Sequence, residues 1–236
     1  MGENRRAYRR AFRQMVQENL PDAEVQQQDG MRLLKYETDG EFNYDLYKDL
    51  QTLGNKFKLH KQWVPEEHIE ILSNYVNQAG VTVERGVCHG TRQGNEQMWF
   101  RDHLSGDADV FGTEISDTAD QFPHTIQWDF HETKPEWVKN FGLVYSNSWD
   151  HAFDPARAFR GWVSCLKPGG IMLLDHGWNY RAEQVNALDP FGISEQKLIE
   201  LLEQECGDAG RVVETIDGGT HKRFPIRTVV FQANGS

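Results

Sequence analysis

Two neighbouring stretches decide the fold of this 236-residue chain: LVYSNSWDHAFDP (residues 143–155) and CLKPGGIMLLDH (residues 165–176). Residues 143–146 and 171–175 are short apolar runs, typical of buried strands. Residues 155–165 have a helical pattern. The segment Lys-Pro-Gly-Gly at 167–170 is typical of a tight turn between that helix and the second strand. The two stretches therefore predict a strand, a helix and a second strand in succession.

The same alternation of strands and helices extends on both sides of this unit. The further predicted elements are strands at 81–88, 109–115 and 125–128, helices at 95–104 and 194–206, and strands at 211–216 and 226–232. This alternation indicates an α/β fold, a mostly parallel sheet with helices on both faces. The last two strands are joined too closely for a parallel crossover, so they form an antiparallel hairpin. Ligands of such sheets bind beyond the carboxyl ends of the strands.

Residues 1–79 have a different, mainly helical pattern. Apolar residues at helical spacing over 8–20 predict an amphipathic helix with arginines on its other side. Its apolar stripe is either an intramolecular contact or the seam of a homodimer, and its basic face is either solvated or binds an anionic partner. Further helices are predicted from Tyr44 to Gly54 and from Pro65 to Gly80. We expect an N-terminal helical cap (1–79) on a ligand-binding domain (80–236).

Composition narrows the classes of partner. The chain has 25 basic and 36 acidic residues, a net charge of −11, which disfavours nucleic-acid binding. It has no apolar run of the roughly 20 residues that cross a bilayer, so we expect no membrane partner. Three widely spaced cysteines and no signal-peptide pattern favour the reducing cytoplasm. No group of residues has the spacing of a metal site, so no metal is expected.

Candidate ligand-binding residues follow three of the predicted strands. The segment Gly86–Gly94 is a strand, a glycine-containing turn and the start of a helix, which together allow close approach of a ligand. Glu114 ends the next strand, 24 residues after Gly90, where a carboxylate can accept hydrogen bonds from ribose hydroxyls. Asp129 and Phe130 follow a short strand, where they suit the amine and the face of an adenine ring.

Residues 143–176 closely resemble the class I S-adenosylmethionine-dependent methyltransferases. The segment 150–155 matches the family's "(E/D)H-x-x-D-P" run, and 166–170 matches its "LKPGG" turn at the family's spacing. The resemblance covers about residues 81–232. It implies a Rossmann-like seven-stranded sheet of order 3-2-1-4-5-7-6, with the last strand antiparallel, and S-adenosylmethionine as the cofactor.

The first glycine motif departs from this family, which usually has an acid and then Gly-x-Gly-x-Gly. One register makes Glu84 the acid; the other, which we prefer, makes 88–92 the turn and leaves Gly86 in place of the acid. The resemblance implies that Glu114 binds the ribose, that Asp129 and Phe130 bind the adenine, and that Ser146 lies beneath the sulfonium. It places these residues around the methionine end: Cys88, His89, Gly90, Thr91 and Arg92.

Methyl transfer to an oxygen or nitrogen atom requires removal of a proton by a nearby base. The candidates follow the fourth and fifth strands: Asp150, His151, Asp175 and His176. Trp178, Tyr180 and Arg181 lie in a long loop and are expected to contact the acceptor. Residues of the N-terminal region are also expected to face it, namely Tyr44, Tyr47, Lys56 and Lys58.

The function predicted from these features is methylation of an oxygen or nitrogen atom in a small polar metabolite, such as a sugar, a nucleotide-linked compound or a secondary metabolite. One alternative is a non-catalytic binding or regulatory module, because the first motif is disrupted. A less favoured alternative is an NAD-dependent oxidoreductase, which the missing Gly-x-Gly-x-x-Gly and the terminal hairpin argue against.

Overall fold

The structure, a computed structural model, describes residues 2–21, 23–221 and 223–235, with the side chains of residues 2 and 3 excepted. The helices are α1 (Gly2–Asn19), α2 (Tyr44–Lys58), α3 (Glu66–Gln78), α4 (Asn95–His103), α5 (Pro155–Cys165) and α6 (Glu195–Cys206). No helix among the described residues is long and apolar enough to cross a membrane.

Twelve strands are described, five of them in two small sheets outside the central one. These five are β1 (Val25–Gln28), β2 (Met31–Leu34), β3 (Glu37–Thr38), β4 (Glu41–Phe42) and β10 (Phe191–Gly192). The central sheet contains β5 (Arg85–His89), β6 (Asp109–Glu114), β7 (Thr125–Gln127), β8 (Phe141–Ser146), β9 (Leu166–His176), β11 (Gly210–His221) and β12 (Phe224–Ala233).

The central sheet has the predicted topology. Its order is β7-β6-β5-β8-β9-β12-β11, which is 3-2-1-4-5-7-6 when its strands are numbered along the chain. The strands from β5 to β9 pair in parallel, whereas β12 is antiparallel to both β9 and β11. The Rossmann-like α/β fold predicted from the sequence is therefore confirmed.

Helices cover both faces of the sheet and bury separate apolar cores. Ile69, Leu72 and Val76 of α3 pack with α4 and strand residues on one face. Trp162 of α5 and Leu198 of α6 pack with Trp149 and other residues on the opposite face. In packing terms α3 thus belongs to the sheet, although it lies before residue 80. The division of the chain at residues 79 and 80 stays a prediction.

The N-terminal region contains more than helices. Its four short strands, β1 to β4, carry too few residues for a periodic pattern to predict them. The apolar stripe of α1 packs on a small core beneath α2, where Phe12 lies 5.4 Å from Phe57 between ring centroids. The stripe is therefore an intramolecular contact, which was one of the two expected outcomes.

Two boundaries in the chain differ from the predictions for a local reason. Helix α2 continues past Gly54 to Lys58. A Cβ at position 54 would collide with Leu188, so this glycine serves packing and not helix termination. Strand β9 begins at Leu166, before the glycine turn. A register shift separates its two parts, since Phe141 pairs with Leu166 while Leu143 pairs with Ile171, so residues 167–170 bulge from the strand.

Candidate active site

A cleft lies at the carboxyl ends of β5, β6 and β8, beneath α2 and the loop that follows β9. It consists of two cavities that share five lining residues: Lys58, Gly90, Arg92, Ser148 and His151. The first, of about 490 Å³, reaches Glu114, Asp129 and Phe130 and is named the nucleoside compartment. The second, of about 800 Å³, reaches Glu96, Asp150 and Tyr180 and is named the acceptor compartment.

The turn after β5 requires its two outer glycines. Gly90 has φ +76°, and a Cβ there would lie 2.6 Å from the Cβ of Ser148. Gly94 has φ +71° and is the N-cap residue of α4, and a Cβ there would lie 2.7 Å from Nε2 of Gln97. Both positions therefore suit glycine and few other residues. The turn therefore runs from Gly90 to Gly94 and not over 88–92 as preferred from the sequence, and Arg92 stands at its middle, where the family pattern has its central glycine.

Neither proposed register supplies an acid to this turn. Glu84 is exposed and precedes β5, at the end of the strand opposite the cleft. Gly86 lies within β5, where a Cβ would be 3.2 Å from the carbonyl oxygen of Leu143. Cys88 packs into the apolar core shared with α3 and α4. No side chain of β5 thus offers a carboxylate to the cleft.

His89, Thr91 and Ser146 support the turn from below and do not line either cavity. His89 is buried, stacks on Trp162 at 4.7 Å and has Nδ1 2.9 Å from Oγ1 of Thr113. Burial lowers its pKa to about 3, with His131 lowering it further, so the ring is neutral. The amide nitrogens of Gly90 and Thr91 both donate to the carbonyl oxygen of Thr113.

Ser146 connects the carboxyl ends of two central strands. Its Oγ donates to the carbonyl oxygen of His89 at 3.1 Å and accepts from the amide of Ser148 at 3.0 Å. The side chain is fully buried, whereas Ser148 lines both compartments. Cys88, His89, Thr91 and Ser146 were predicted to bind the cofactor; the structure places them outside both cavities, and their binding role stays a prediction.

The nucleoside compartment brings three predicted residues together. Glu114 ends β6 and accepts the amide of Ser116 at 3.0 Å. Burial raises the pKa of Glu114 to about 7, although the amide of Ser116 and the nearby Arg92 oppose this effect. The ring of Phe130 packs edge-on against Trp162 and borders Gly90.

Asp129, the third of these residues, is held by both cap and sheet. Its Oδ2 accepts the hydroxyl of Tyr44 at 2.9 Å, and its Oδ1 accepts Nδ1 of His131 at 2.7 Å. His131 in turn accepts the amide of Phe153 at Nε2, which ties this site to the segment before α5. Each oxygen of Asp129 therefore already has a donor from the protein.

The segment after β8 places His151 in the cleft. Asp154 accepts the amide of Arg157 at 3.0 Å and caps α5, and Pro155 occupies its first turn. Residues Trp149–His151, just before this cap, form a single 3₁₀ turn at the end of β8. The Asp-His-x-x-Asp-Pro pattern thus starts a helix and directs its histidine into both compartments.

The tautomer of His151 is fixed by Gln51 of α2. Nδ1 of His151 lies 2.7 Å from Oε1 of Gln51, whose Nε2 donates to the carbonyl oxygen of Leu188 at 2.9 Å. The amide orientation is therefore set, so Nδ1 carries the hydrogen and Nε2 has a lone pair. Burial lowers the pKa of His151 to about 4 against the attraction of Asp189, and Lys58 lowers it too. A neutral His151 with a free lone pair can accept a proton.

Asp189 and Asp150 both lie close to the ring of His151. Oδ1 of Asp189 lies 3.4 Å from Nε2, and Lys58 places Nζ 3.9 Å from the same oxygen. Asp150 is buried, and its burial together with the charge of Asp189 raises its pKa well above the usual range. Asp150, His151 and Asp189 bring ligand atoms within 4.8 Å of one another, as a metal site would. The positive charges of Lys58 and Arg92 already stabilise the ionised forms of Asp150 and Asp189. The absence of a metal stays a prediction.

The long loop after β9 contributes one of its three predicted residues to the acceptor compartment. Tyr180 donates its hydroxyl to the carbonyl oxygen of Asn147 at 2.8 Å. Trp178 is 47% exposed and stacks on Phe224, and it lines cavities beside β12, as does His176. Arg181 lines one of those cavities as well. The structure therefore does not bring His176, Trp178 or Arg181 to His151.

His176 is occupied by structural contacts. Its Nε2 lies 3.0 Å from the carbonyl oxygen of Ile193, and its ring stacks on Trp149. Asp175 is fully buried and accepts hydrogen bonds from Tyr145, Thr228 and His68. Neither of these candidate bases faces the cleft.

Helix α2 contributes residues that the sequence interpretation partly missed. Lys58 lines both compartments and Tyr47 lines only the nucleoside compartment, whereas Lys56 pairs with Asp117 outside the cleft. The missed residues are Gln51 and Asn55, along with Glu96, Asn147 and Asp189 elsewhere. Positions 47, 51, 54, 55 and 58 fall on one helical face. The spacing of Tyr47 and Gln51 within the predicted helix already pointed to Gln51, and Asn55 would have followed if the helix had been continued through Gly54.

Comparison with known proteins agrees with this geometry. The 1,6-didemethyltoxoflavin-N1-methyltransferase of Burkholderia thailandensis superposes with a TM-score of 0.60 at 12% identity, over 90% of this chain and 100% of that one. The N-methyltransferase NodS of Bradyrhizobium japonicum WM9 gives 0.58 at 12% identity, over 78% and 98%. The [4+2]-cyclase SpnF gives 0.54 at 13% identity, over 71% and 81%.

This chain has the class I methyltransferase fold. The two methyltransferase structures contain bound S-adenosylhomocysteine. No protein-family model and no curated protein sequence matches the chain. At 12–13% identity the shared property is the fold, so the function must be argued from the cleft itself.

Proposed function

We propose that this protein is an S-adenosylmethionine-dependent methyltransferase that acts on an oxygen or nitrogen atom of a small polar metabolite, such as a sugar, a nucleotide-linked compound or a secondary metabolite. The observation that carries the proposal is the position of His151, which lines both compartments and has its Nδ1 fixed by Gln51, so that Nε2 keeps a lone pair. Residues 1–79 act in this proposal as a cap over the domain of residues 80–236.

The residues of the nucleoside compartment fit the proposed cofactor. Glu114 is buried at a strand end, as a carboxylate that accepts ribose hydroxyls needs to be, and Phe130 offers a ring for the adenine. In the neighbouring compartment, Oε2 of Glu96 is a buried acceptor without a partner among the described residues. The chemistry that S-adenosylmethionine supplies when bound is an electrophilic methyl group.

The chain's own residues supply orientation and a base. Gln51 holds the ring of His151, so that Nε2 accepts the proton of the acceptor's O–H or N–H group. Asp189, 3.4 Å from Nε2, then stabilises the imidazolium. The cap closes the cleft from above with Tyr47, Gln51 and Lys58 and limits the access of water.

The acceptor compartment supports a polar substrate of limited size. It measures about 800 Å³ and its lining includes the polar side chains of Gln62, Asn147, Asn179, Gln184 and Asn186. A net charge of −11 repels nucleic acids, in keeping with a small-molecule acceptor. The three free, buried cysteines suit a reducing compartment, and we propose the cytoplasm.

Turnover with methyl-labelled S-adenosylmethionine and a panel of polar metabolites tests the proposal. We expect S-adenosylhomocysteine to form together with one labelled acceptor. His151→Asn is expected to lower kcat by about 10²- to 10⁴-fold, with unchanged affinity for S-adenosylhomocysteine. The matched control is His124→Asn, an exposed residue at φ +52° that asparagine tolerates. Full activity of His151→Asn would show that His151 is not the base.

One observation favours a second candidate, a non-catalytic binding module. Arg92 occupies the middle of the glycine turn, where its side chain enters both compartments and changes the usual cofactor site. Thermal shifts with S-adenosylmethionine, S-adenosylhomocysteine, NAD and NADP separate the candidates. Stabilisation by the adenosyl ligands supports the methyltransferase, and stabilisation by the nicotinamides alone overturns it. The absence of any shift favours the non-catalytic module.

A further inference from the structure

Glu96 is a buried carboxylate with one oxygen unused. It lies in the first turn of α4, is 4% exposed and lines the acceptor compartment. Its Oε1 accepts Nε2 of Gln62 at 3.0 Å and Nδ2 of Asn147 at 3.3 Å. Its Oε2 has no partner among the described residues. A buried polar atom of this kind is costly unless a ligand completes it.

Burial raises the pKa of Glu96 above its usual value, although its own backbone amide, the donors Asn147 and Gln62 and the charge of Arg92 oppose this effect. A cationic ligand at the oxygen without a partner would further favour the ionised form. The side chain is thus held in place by two amide donors at one oxygen while the other oxygen remains available. This arrangement suits a cationic N–H donor.

Arg92 supplies the opposite charge nearby. It lies four residues before Glu96, at the middle of the glycine turn, and lines both compartments. Its guanidinium donates to the carbonyl oxygen of Lys61 at 3.1 Å, which anchors one side of the group. A carboxylate and a guanidinium together match a ligand that carries an ammonium and a carboxylate on one carbon atom.

We propose that Glu96 and Arg92 together bind the α-amino-acid group at the methionine end of the cofactor, with Glu96 accepting the ammonium and Arg92 donating to the carboxylate. The inference rests on the proposed function and deepens it. It also explains how the turn after β5 works without an acid, because the carboxylate comes from α4, beyond the turn. The departure at Arg92 then has a binding role.

Three ligands separate the two contacts by calorimetry at pH 8.5, where Glu114 is ionised. S-adenosylhomocysteine carries both charged groups, its deaminated analogue keeps only the carboxylate, and 5′-methylthioadenosine has neither. Glu96→Gln is expected to weaken S-adenosylhomocysteine about 10- to 100-fold and to leave the other two ligands unchanged. Arg92→Gln is expected to weaken the first two ligands and to leave 5′-methylthioadenosine unchanged.

The matched control is Glu70→Gln, an exposed glutamate of α3. An equal loss for all three ligands in Glu96→Gln, or no loss for any, overturns the inference. If Glu96→Gln does not fold, the affinities of the wild-type protein still test the inference. Equal affinity for S-adenosylhomocysteine and for its deaminated analogue would also overturn it. Failure of the wild-type protein to bind any of the three ligands instead overturns the proposed methyltransferase function.

Discussion

Asp175 and Glu96 are both buried carboxylates near the carboxyl ends of the central strands, but their surroundings differ. Asp175 accepts the hydroxyls of Tyr145 at 2.6 Å and Thr228 at 2.8 Å, and Nε2 of His68 lies 2.9 Å away. Glu96 keeps one oxygen without a partner among the described residues. Completed hydrogen bonding marks a carboxylate that stabilises the fold, and incomplete hydrogen bonding marks one that is available to a ligand.

Asp175 also has a buried charge partner, His68, whereas Glu96 has none of this kind in the described part of the chain. Nδ1 of His68 lies 2.7 Å from the carbonyl oxygen of Gly218, and its Nε2 faces Asp175, so both nitrogens meet acceptors. Although burial lowers the pKa of His68, the charge and hydrogen bonds of Asp175 raise it above its usual value, which favours the imidazolium with a hydrogen on each nitrogen. This buried ion pair joins α3, β9 and β11, which lie on the side of the sheet away from the nucleoside compartment.

Replacement of Asp175 has the largest expected effect. Asp175→Asn leaves the imidazolium of His68 without its charge partner and is expected to lower the free energy of unfolding by about 3–5 kcal/mol. Urea denaturation measures this loss. Asp102→Asn, on the exposed face of α4, is the control and should stay within about 0.5 kcal/mol of wild type. A loss no larger than that of the control would contradict the structural role of Asp175.

The pH dependence of stability tests the same pair. Burial lowers the pKa of His68, but the charge and hydrogen bonds of Asp175 outweigh it and raise the pKa above its usual value. The stabilisation is therefore complete below about pH 6.5 and decreases as the pH rises through the raised pKa. The decrease is at most about 1.4 kcal/mol per pH unit for one proton. Urea denaturation of wild type and His68→Gln should give this steeper decline only in wild type.

The hydrogen bonding of Glu114 is intermediate between that of Asp175 and that of Glu96. Glu114 has one backbone donor, and its pKa is about 7. An ionised carboxylate is the better acceptor for ribose hydroxyls, so affinity for S-adenosylhomocysteine is expected to rise several-fold from pH 6 to pH 8 and then to level off. Calorimetry across this range checks the rise, and Glu114→Gln should abolish it. A pH-independent affinity in wild type would show that Glu114 does not bind the ligand through its charged form.

Glu96→Gln should have the smallest effect on stability. The neutral amide keeps the shape of the side chain and removes a buried charge, so the free energy of unfolding should stay equal or rise by up to about 1 kcal/mol. Urea denaturation compares this change with that of Asp175→Asn, which has the opposite sign. A loss of several kcal/mol would place Glu96 with Asp175 as a residue that stabilises the fold.

The fold was predictable because its signals are local. Asp154 and Pro155 start α5, and the Gly-Gly pair at 169–170 marks the bulge before the buried part of β9, so neighbouring residues suffice to set these boundaries. The predicted end of α2 was wrong because the glycine at position 54 makes room for Leu188, which is 134 residues away in the chain. No local pattern contains that contact.

The site was predicted only in part for the same reason. Glu114, Asp129, Phe130 and His151 follow strands, and the ends of parallel strands meet by topology. The loop after β9 has no such constraint. Its course depends on the bonds from Tyr180 to Asn147 and from the amide of Ile193 to Tyr180, which turn Tyr180 inward and leave Trp178 exposed. Glu96 was proposed as a binding residue because its Oε2 has no hydrogen-bond partner among the described residues. Only the three-dimensional contacts show this.

The pairing of β10 with β2 makes the loop after β9 and the N-terminal region parts of one sheet, with Phe191 opposite Leu33 and Gly192 opposite Arg32. The loop that borders the acceptor compartment therefore cannot be exchanged alone, because its removal would leave β2 with an unpaired edge. Under the proposed function, we therefore expect a change of acceptor to require matched changes in two segments that are more than 150 residues apart.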